Sequence, residues 1–338
     1  MNTTRSDRGA APRGRLMSVA EAAELIRSGR FLCVAGDETP LRALPRGNWI
    51  GGTIPYFMAD EGGRTSREKV FVHEVATYGG EPAIRLHGVA SLSRVCAEAP
   101  DNGYSVIIIP AFSAAHSFYA RNAPGFEDMF VKPVVGWISG VHLDQLGQAL
   151  PAVVDGRSGH FDTEQAVVMH VTLPPDRYAR LEILNAMRQG TGDRIRFTET
   201  GFSAGDCLID GEAVCLADYL EARGADLRLP LVADYSGALV NVSIKGIDAR
   251  QRRVDFYAPV FDDVEYRLAE AQPAGPPPAT DEDGEAVAFS CNCVLNYVYQ
   301  NLEGRKSGAF TGPMTFGEIA FLLLNQTQVY LTVERLEA

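Results

Sequence analysis

The 338-residue chain holds 43 acidic against 31 basic residues, a net charge of −12, and that balance argues against a nucleic-acid partner, because phosphate binding needs a concentrated basic face. Hydrophobic residues at 46% and charged residues at 22% are ordinary for a globular protein, and the length suffices for two domains. No run of about eighteen apolar residues occurs, which argues against a helical membrane span. Residues 1–15, with Arg5, Arg8, Arg13 and Arg15 among small residues, lack an apolar signal segment and read as a disordered basic tail. Six scattered cysteines do not form a secreted disulfide framework, so a cytoplasmic location is expected.

Ser18 and Glu21 have capping-box spacing, and Val19, Ala22, Ala23 and Ile26 form an apolar stripe, which predicts a helix stopping at Gly29. Residues 31–35 read as a buried strand. Gly51 and Gly52 follow Trp49 and let backbone come close to a ligand or to another strand. Residues 70–76 alternate as a strand with Phe71, His73 and Val75 on one face. A helix over 91–99 leads to the strongly apolar strand 104–109, whose unbroken run suits a sheet covered on both faces. Pro110 ends that strand, and residues 113–122 read as a helix carrying His116. A strand over 132–140 contains Trp137 and Ser139. Residues 153–155 and 166–172 suggest a hairpin whose loop holds His160 and Asp162. Pro174-Pro175 marks the expected boundary between domains 16–175 and 176–338.

The second half opens with a helix expected over 177–188 and a strand over 194–198. Residues 208–214 combine apolar positions with an Asp-Gly turn, and a short helix follows over 217–223. Strands are read at 229–233, 237–244 and 253–260. Residues 273–284 are rich in proline, which lacks a donor and fixes its own dihedral, so an exposed loop is expected. Near the end, Thr315 and Glu318 again have capping-box spacing and predict a helix over 316–324, before the alternating strand 329–333. The fold class read from these elements is α/β, a two-part mixed-sheet protein with helices packed on the sheets.

Gly308-Ala-Phe, Phe316-Gly-Glu-Ile319 and Asn325-Gln-Thr327 together resemble the closing motif of the FIST sensory domain family. The Ile-Asp-Gly at 209–211 and the strands at 229–233, 237–244 and 253–260 are similar to the rest of that family's C-terminal half. The resemblance implies a bacterial intracellular sensory module that binds a small organic ligand, an amino acid among the options, and passes its state to a separate signalling protein. No output domain is recognisable in the chain. Some members of that family hold haem, but no ligand for one can be assigned here, and no cofactor is predicted.

Within that reading the pocket candidates are polar groups at strand ends. Thr53, Tyr56, Ser139, Asn241 and Ser243 would supply donors and acceptors, and Trp49 and Trp137 apolar walls. Cys291 would line the pocket. Glu318 would take an amino group or serve as a cap, and Asn325 would cap a helix or orient the closing strand. Cys291 and Cys293 share one side of a strand, but no C-x-x-C or following histidine completes a metal pattern, so small-residue packing is the simpler reading. His142/Asp144 and His160/Asp162 fit turn or surface hydrogen bonding better than base chemistry. His73 reads as a satisfied core or cleft histidine, and His116 fits packing on a helix face at least as well as an approach to the carboxyl ends of the strands. The rival reading is an enzyme with its site between the two halves. Ser113 with His116 and Ser139 with His142 are near in sequence, but neither has a nucleophile elbow.

Overall fold

Apolar runs that lack alternation become strands covered on both faces, and they set the layering. The computed structural model describes residues 14–235, 237–272, 287–308 and 310–336. Its middle sheet runs in the order Leu322–Leu324, Glu318–Ala320, Val134–Ser139, Gly103–Pro110, Ala166–Thr172, Ala83–His87. Tyr104, Val106, Ile108, Val135 and Trp137 face one core. Ile107, Ile109, Val134 and Ile138 face another, beneath the helix Ala114–Asn122. Every residue of the two central strands is buried, which is why they carry no polar stripe.

A second six-stranded sheet, containing Phe31–Gly36 and Trp49–Thr53, stacks on the first of these cores, with Cys33, Ile50 and Phe71 pointing inward. Its outer face carries Leu32, Val34, Trp49, Val70 and Val72 under the helix Val19–Arg27. That helix begins at the capping box read from the sequence, with Ser18 and Glu21 each bonded to the other's backbone. Burying Ile26 there contributes on the order of 2 kcal/mol. A third sheet joins Tyr56–Ala59 and Gly62–Thr65 to Gly312–Thr315, Val287–Cys293, Thr327–Arg335 and Arg177–Asn185. A seven-stranded and a three-stranded sheet built from residues 187–271 cover the far side of the helix Ala114–Asn122. The chain after residue 175 therefore completes sheets begun before it. Gly312–Thr315 pairs with Tyr56–Ala59, and Glu318–Ala320 with Val134–Ser139.

Three of the sheets are mixed and the two built from residues 187–271 are antiparallel, and strand predominates over helix, 47% to 15% of the described residues, so the protein is mostly β. Two expected helices account for the difference. Residues 177–188 form the strands Arg177–Asn185 and Met187–Gln189. Ala179, Leu181 and Ile183 pack on the core while Tyr178, Arg180 and Glu182 alternate with them, a period of two that the charged residues obscure.

Residues 316–324 form a hairpin of Glu318–Ala320 and Leu322–Leu324, turning at Phe321 with φ 61°. Thr315 is no helix cap; its hydroxyl lies 3.2 Å from the Asn292 carbonyl and 3.0 Å from that of Gly317. Ile319 and Leu323 enter one core, Ala320 and Leu324 the other, so the run serves two apolar faces that a single helix stripe could not. The expected helix over 91–99 is shorter too: Val89–Leu92 is helical, and turns carry the chain to residue 99.

Asp210 and Gly211, at φ 49° and 96°, make the tight turn of the expected Asp-Gly hairpin. The proline-rich loop 273–284 and residues 1–13 of the expected tail lie outside the described residues, while Arg15 opens a strand. No helix among the described residues is long and apolar enough to cross a membrane.

Candidate functional site: an apolar cleft at two strand ends

Gly103–Pro110 and Val134–Ser139 are parallel neighbours, and their carboxyl ends lie side by side, Pro110 opposite Ser139. The chain leaves them in different directions. After Pro110 it turns through Ala111 and Phe112 into the helix Ala114–Asn122. After Ser139 it runs through a loop that Tyr56 holds by accepting the Leu143 N–H at 2.9 Å. Diverging exits of this kind open a crevice beyond the strand ends. The cleft there has a volume of about 430 Å3 and is walled by Phe112, Leu143, Leu146, Val294, Leu295 and Phe316.

Three polar side chains reach this apolar wall: His116, Lys245 and Tyr257. Phe112, at φ 66°, directs its N–H to His116 Nδ1 at 3.2 Å. Nδ1 is thus the acceptor nitrogen, and Nε2 carries the proton. That Nε2 is buried without a partner, and burial holds the ring's pKa down to about 4, so the imidazole is neutral near pH 7. A left-handed conformation at a bulky residue stores strain, and here it places the amide that fixes the tautomer. Lys245 lies on the strand Ile244–Asp248, is exposed, and has no ion pair among the described residues. Burial raises the Tyr257 pKa, which keeps its hydroxyl protonated.

Behind this wall lies a second polar group, enclosed in the core. Trp137 and Ser139 share one face of their strand, and Glu318 stands opposite Trp137 on the neighbouring one. Trp137 Nε1, Ser139 Oγ and Glu318 Oε1 are all buried without a hydrogen-bond partner. Glu318 Oε2 accepts the Thr327 hydroxyl at 2.8 Å and its N–H at 3.2 Å. Desolvation outweighs these bonds and pushes the carboxyl pKa up to about 8. With Oε2 accepting twice, the proton belongs on Oε1. Gly52 faces this group. A Cβ there would lie 3.1 Å from Trp137 Nε1 and 3.2 Å from Ser139 Cβ, so the glycine serves the approach of another strand.

None of the ten residues singled out from the sequence lines the cleft, though several stand close behind it. Trp137, Ser139, Glu318 and Cys291 belong to the buried interior, with Cys291 Sγ 3.3 Å from the Gly136 carbonyl and its thiol pKa raised by burial. Tyr56 positions the loop that bears Leu143 and Leu146. Thr53 accepts the Ala152 N–H at 2.9 Å. Trp49 is a core residue of the outer layer and donates to the Pro45 carbonyl at 2.9 Å. Asn241 exchanges amide bonds with Asn185 at 2.8 and 3.0 Å. Asn325 Oδ1 lies 3.4 Å from the Ser243 N–H, which makes it an orienting group.

Ser113 caps its helix, accepting the His116 N–H at 3.0 Å and donating to the Pro110 carbonyl at 2.7 Å, so it is not paired with the imidazole as a nucleophile. His73 accepts the Ser290 N–H at 3.3 Å in the core. His142 and His160 bond their own turns, at Asp144 N–H (3.3 Å) and Asp162 (3.1 Å). All six cysteines are buried free thiols, and no group of three or more histidine, cysteine or acidic residues among the described residues could hold a metal.

Lys245 and Tyr257 were not legible as site residues, because both sit on strands that reach the cleft from the second half of the chain. His116 was partly legible, since a histidine in the first turn of a helix that follows a buried strand must lie near that strand's end.

The chain belongs to DUF6976, a family of unknown function whose model matches residues 17–334. That assignment replaces the expected FIST resemblance, since no FIST domain matches. No curated protein and no solved structure matches this chain.

Proposed function

We propose that this member of a family without an assigned activity binds a small organic molecule in the cleft between the Pro110 and Ser139 strand ends. The observation that carries the reading is the cleft's construction. About 430 Å3 of space lies within a mainly apolar wall, interrupted among the described residues by the polar side chains of His116, Lys245 and Tyr257. Small-molecule sites occupy roughly 300–1,000 Å3 and combine apolar lining with a few placed polar groups. The position beyond the carboxyl ends of adjacent parallel strands supports the same reading. The signalling role and the separate partner rested on the resemblance, so the proposal stops at binding. The rival enzyme reading draws no support from Ser113, whose hydroxyl is committed to its helix cap.

Ligand-observed NMR with a library of aliphatic and aromatic fragments tests this, using the wild type and Leu146→Trp. Leu146 is 45% exposed, so the larger ring can be accepted while it fills the cleft mouth. A set of fragments bound by the wild type and lost from the variant is expected. Fragments that do not distinguish the two proteins would remove the cleft as the site.

A further inference from the structure

The polar equipment of the cleft is one-sided. Tyr257 presents a protonated hydroxyl and Lys245 an ammonium, while the His116 ring lines the wall with Nδ1 occupied by Phe112 and Nε2 enclosed. Among the described residues no aspartate or glutamate lines the cleft, in a chain whose net charge is −12. Basic residues elsewhere are commonly engaged by acidic neighbours, as Arg180, Arg228 and Arg252 are by Glu182, Asp226 and Asp218. Lys245 has no such neighbour among the described residues and stands at the rim of an apolar wall, where a lysine can lay its stem on that wall and hold its charge at the edge.

From this arrangement, and resting on the reading of the cleft as a small-molecule site, we infer that its ligand is an amphiphilic monocarboxylate. The apolar body fills the space between Phe112, Leu146 and Phe316, and the carboxylate meets Lys245 with Tyr257 as a further donor. The charge count favours a carboxylate over a phosphate. One lysine and one neutral donor balance a single negative charge, and the lining among the described residues has none of the arginine that recognises phosphate by paired bonds. A ligand ammonium would meet a like charge and no acceptor carboxylate. Donors that face an apolar cleft without partners select a ligand rich in acceptors, because a ligand lacking them would leave those groups desolvated and unpaired.

Isothermal titration calorimetry at pH 7 with octanoate, 1-octanol and octylammonium separates the head group from a common tail. Octanoate is expected to bind at least tenfold more tightly than octanol, with octylammonium weaker than both. Lys245→Gln should bring octanoate down to the level of octanol and leave octanol unchanged, and Tyr257→Phe should weaken octanoate severalfold. Leu146→Trp should remove octanoate and octanol alike. If octanol matches octanoate, or Lys245→Gln leaves octanoate untouched while Leu146→Trp still blocks binding, the carboxylate inference is overturned and the cleft reading stands. If no probe binds, or binding survives Leu146→Trp, the cleft reading fails and the inference falls with it.

Discussion

Replacing Glu318 by glutamine should change the pH dependence of stability more than stability at any one pH. The carboxyl is fully buried opposite Trp137, and desolvation raises its pKa from 4.5 to about 8. A group whose folded pKa is raised stabilises the fold fully below its unfolded pKa, and loses that contribution as the pH climbs through the folded one. Between those values the native state holds a proton that the unfolded chain has released, so unfolding free energy falls by about 1.4 kcal/mol per pH unit. From pH 5 to pH 8 the loss is about 3.5 kcal/mol. Glutamine keeps an oxygen for Thr327 and has no proton to lose. The buried histidines act with the opposite sign, since pKa values lowered to about 4 at His116 and His170 destabilise the fold as pH falls. They act alike in both proteins and cancel in the difference. Urea unfolding at pH 5, 6, 7 and 8 should therefore show the wild type losing about 3.5 kcal/mol relative to Glu318→Gln. Parallel curves would refute the assignment of a protonated carboxylic acid to this position.

Gly136→Ala should cost about 3 kcal/mol or more and reduce the yield of soluble protein, because a Cβ there would lie 1.8 Å from the Ile107 carbonyl of the adjacent strand. Unchanged denaturant stability would mean that these two strands are not packed at this spacing. Ser18→Ala removes one side of the capping box and should lower stability by about 1 kcal/mol, read as a lower urea midpoint at constant slope. No change would show that the first helix contributes nothing to the cooperative unit.

The sequence made the central strands legible because their chemistry is local. Residues 106–109 and 134–138 are apolar throughout, and only a site buried on both faces rewards that. The first cap was legible for the same reason, as Ser18 and Glu21 satisfy each other without help from distant residues. The second cap has the same spacing and a different outcome. Thr315 and Glu318 find Asn292, Gly317 and Thr327 instead, and sheet pairing with Val134–Ser139 satisfies the backbone that a helix would otherwise have satisfied internally. Tertiary pairing overrides a local signal when both faces of the segment are needed by different cores. The cleft was hidden for a related reason. Its walls come from the chain just after Pro110 and Ser139 and from residues 245, 257, 294 and 316, and no spacing in the sequence reports that these converge. Polar residues in apolar strands drew attention instead, and they proved to be the interior group around Glu318.

The pairing of Glu318–Ala320 onto Val134–Ser139 also bears on how the protein is made. On the ribosome, the Val-Val-Gly-Trp-Ile run leaves the exit tunnel long before the hairpin that will cover its free side. Through that interval an apolar strand edge has no partner, the condition that invites pairing between nascent chains. Gly312–Thr315 leaves Tyr56–Ala59 waiting in the same way. The two sheets therefore close only after the strands Gly312–Thr315 and Glu318–Ala320 emerge.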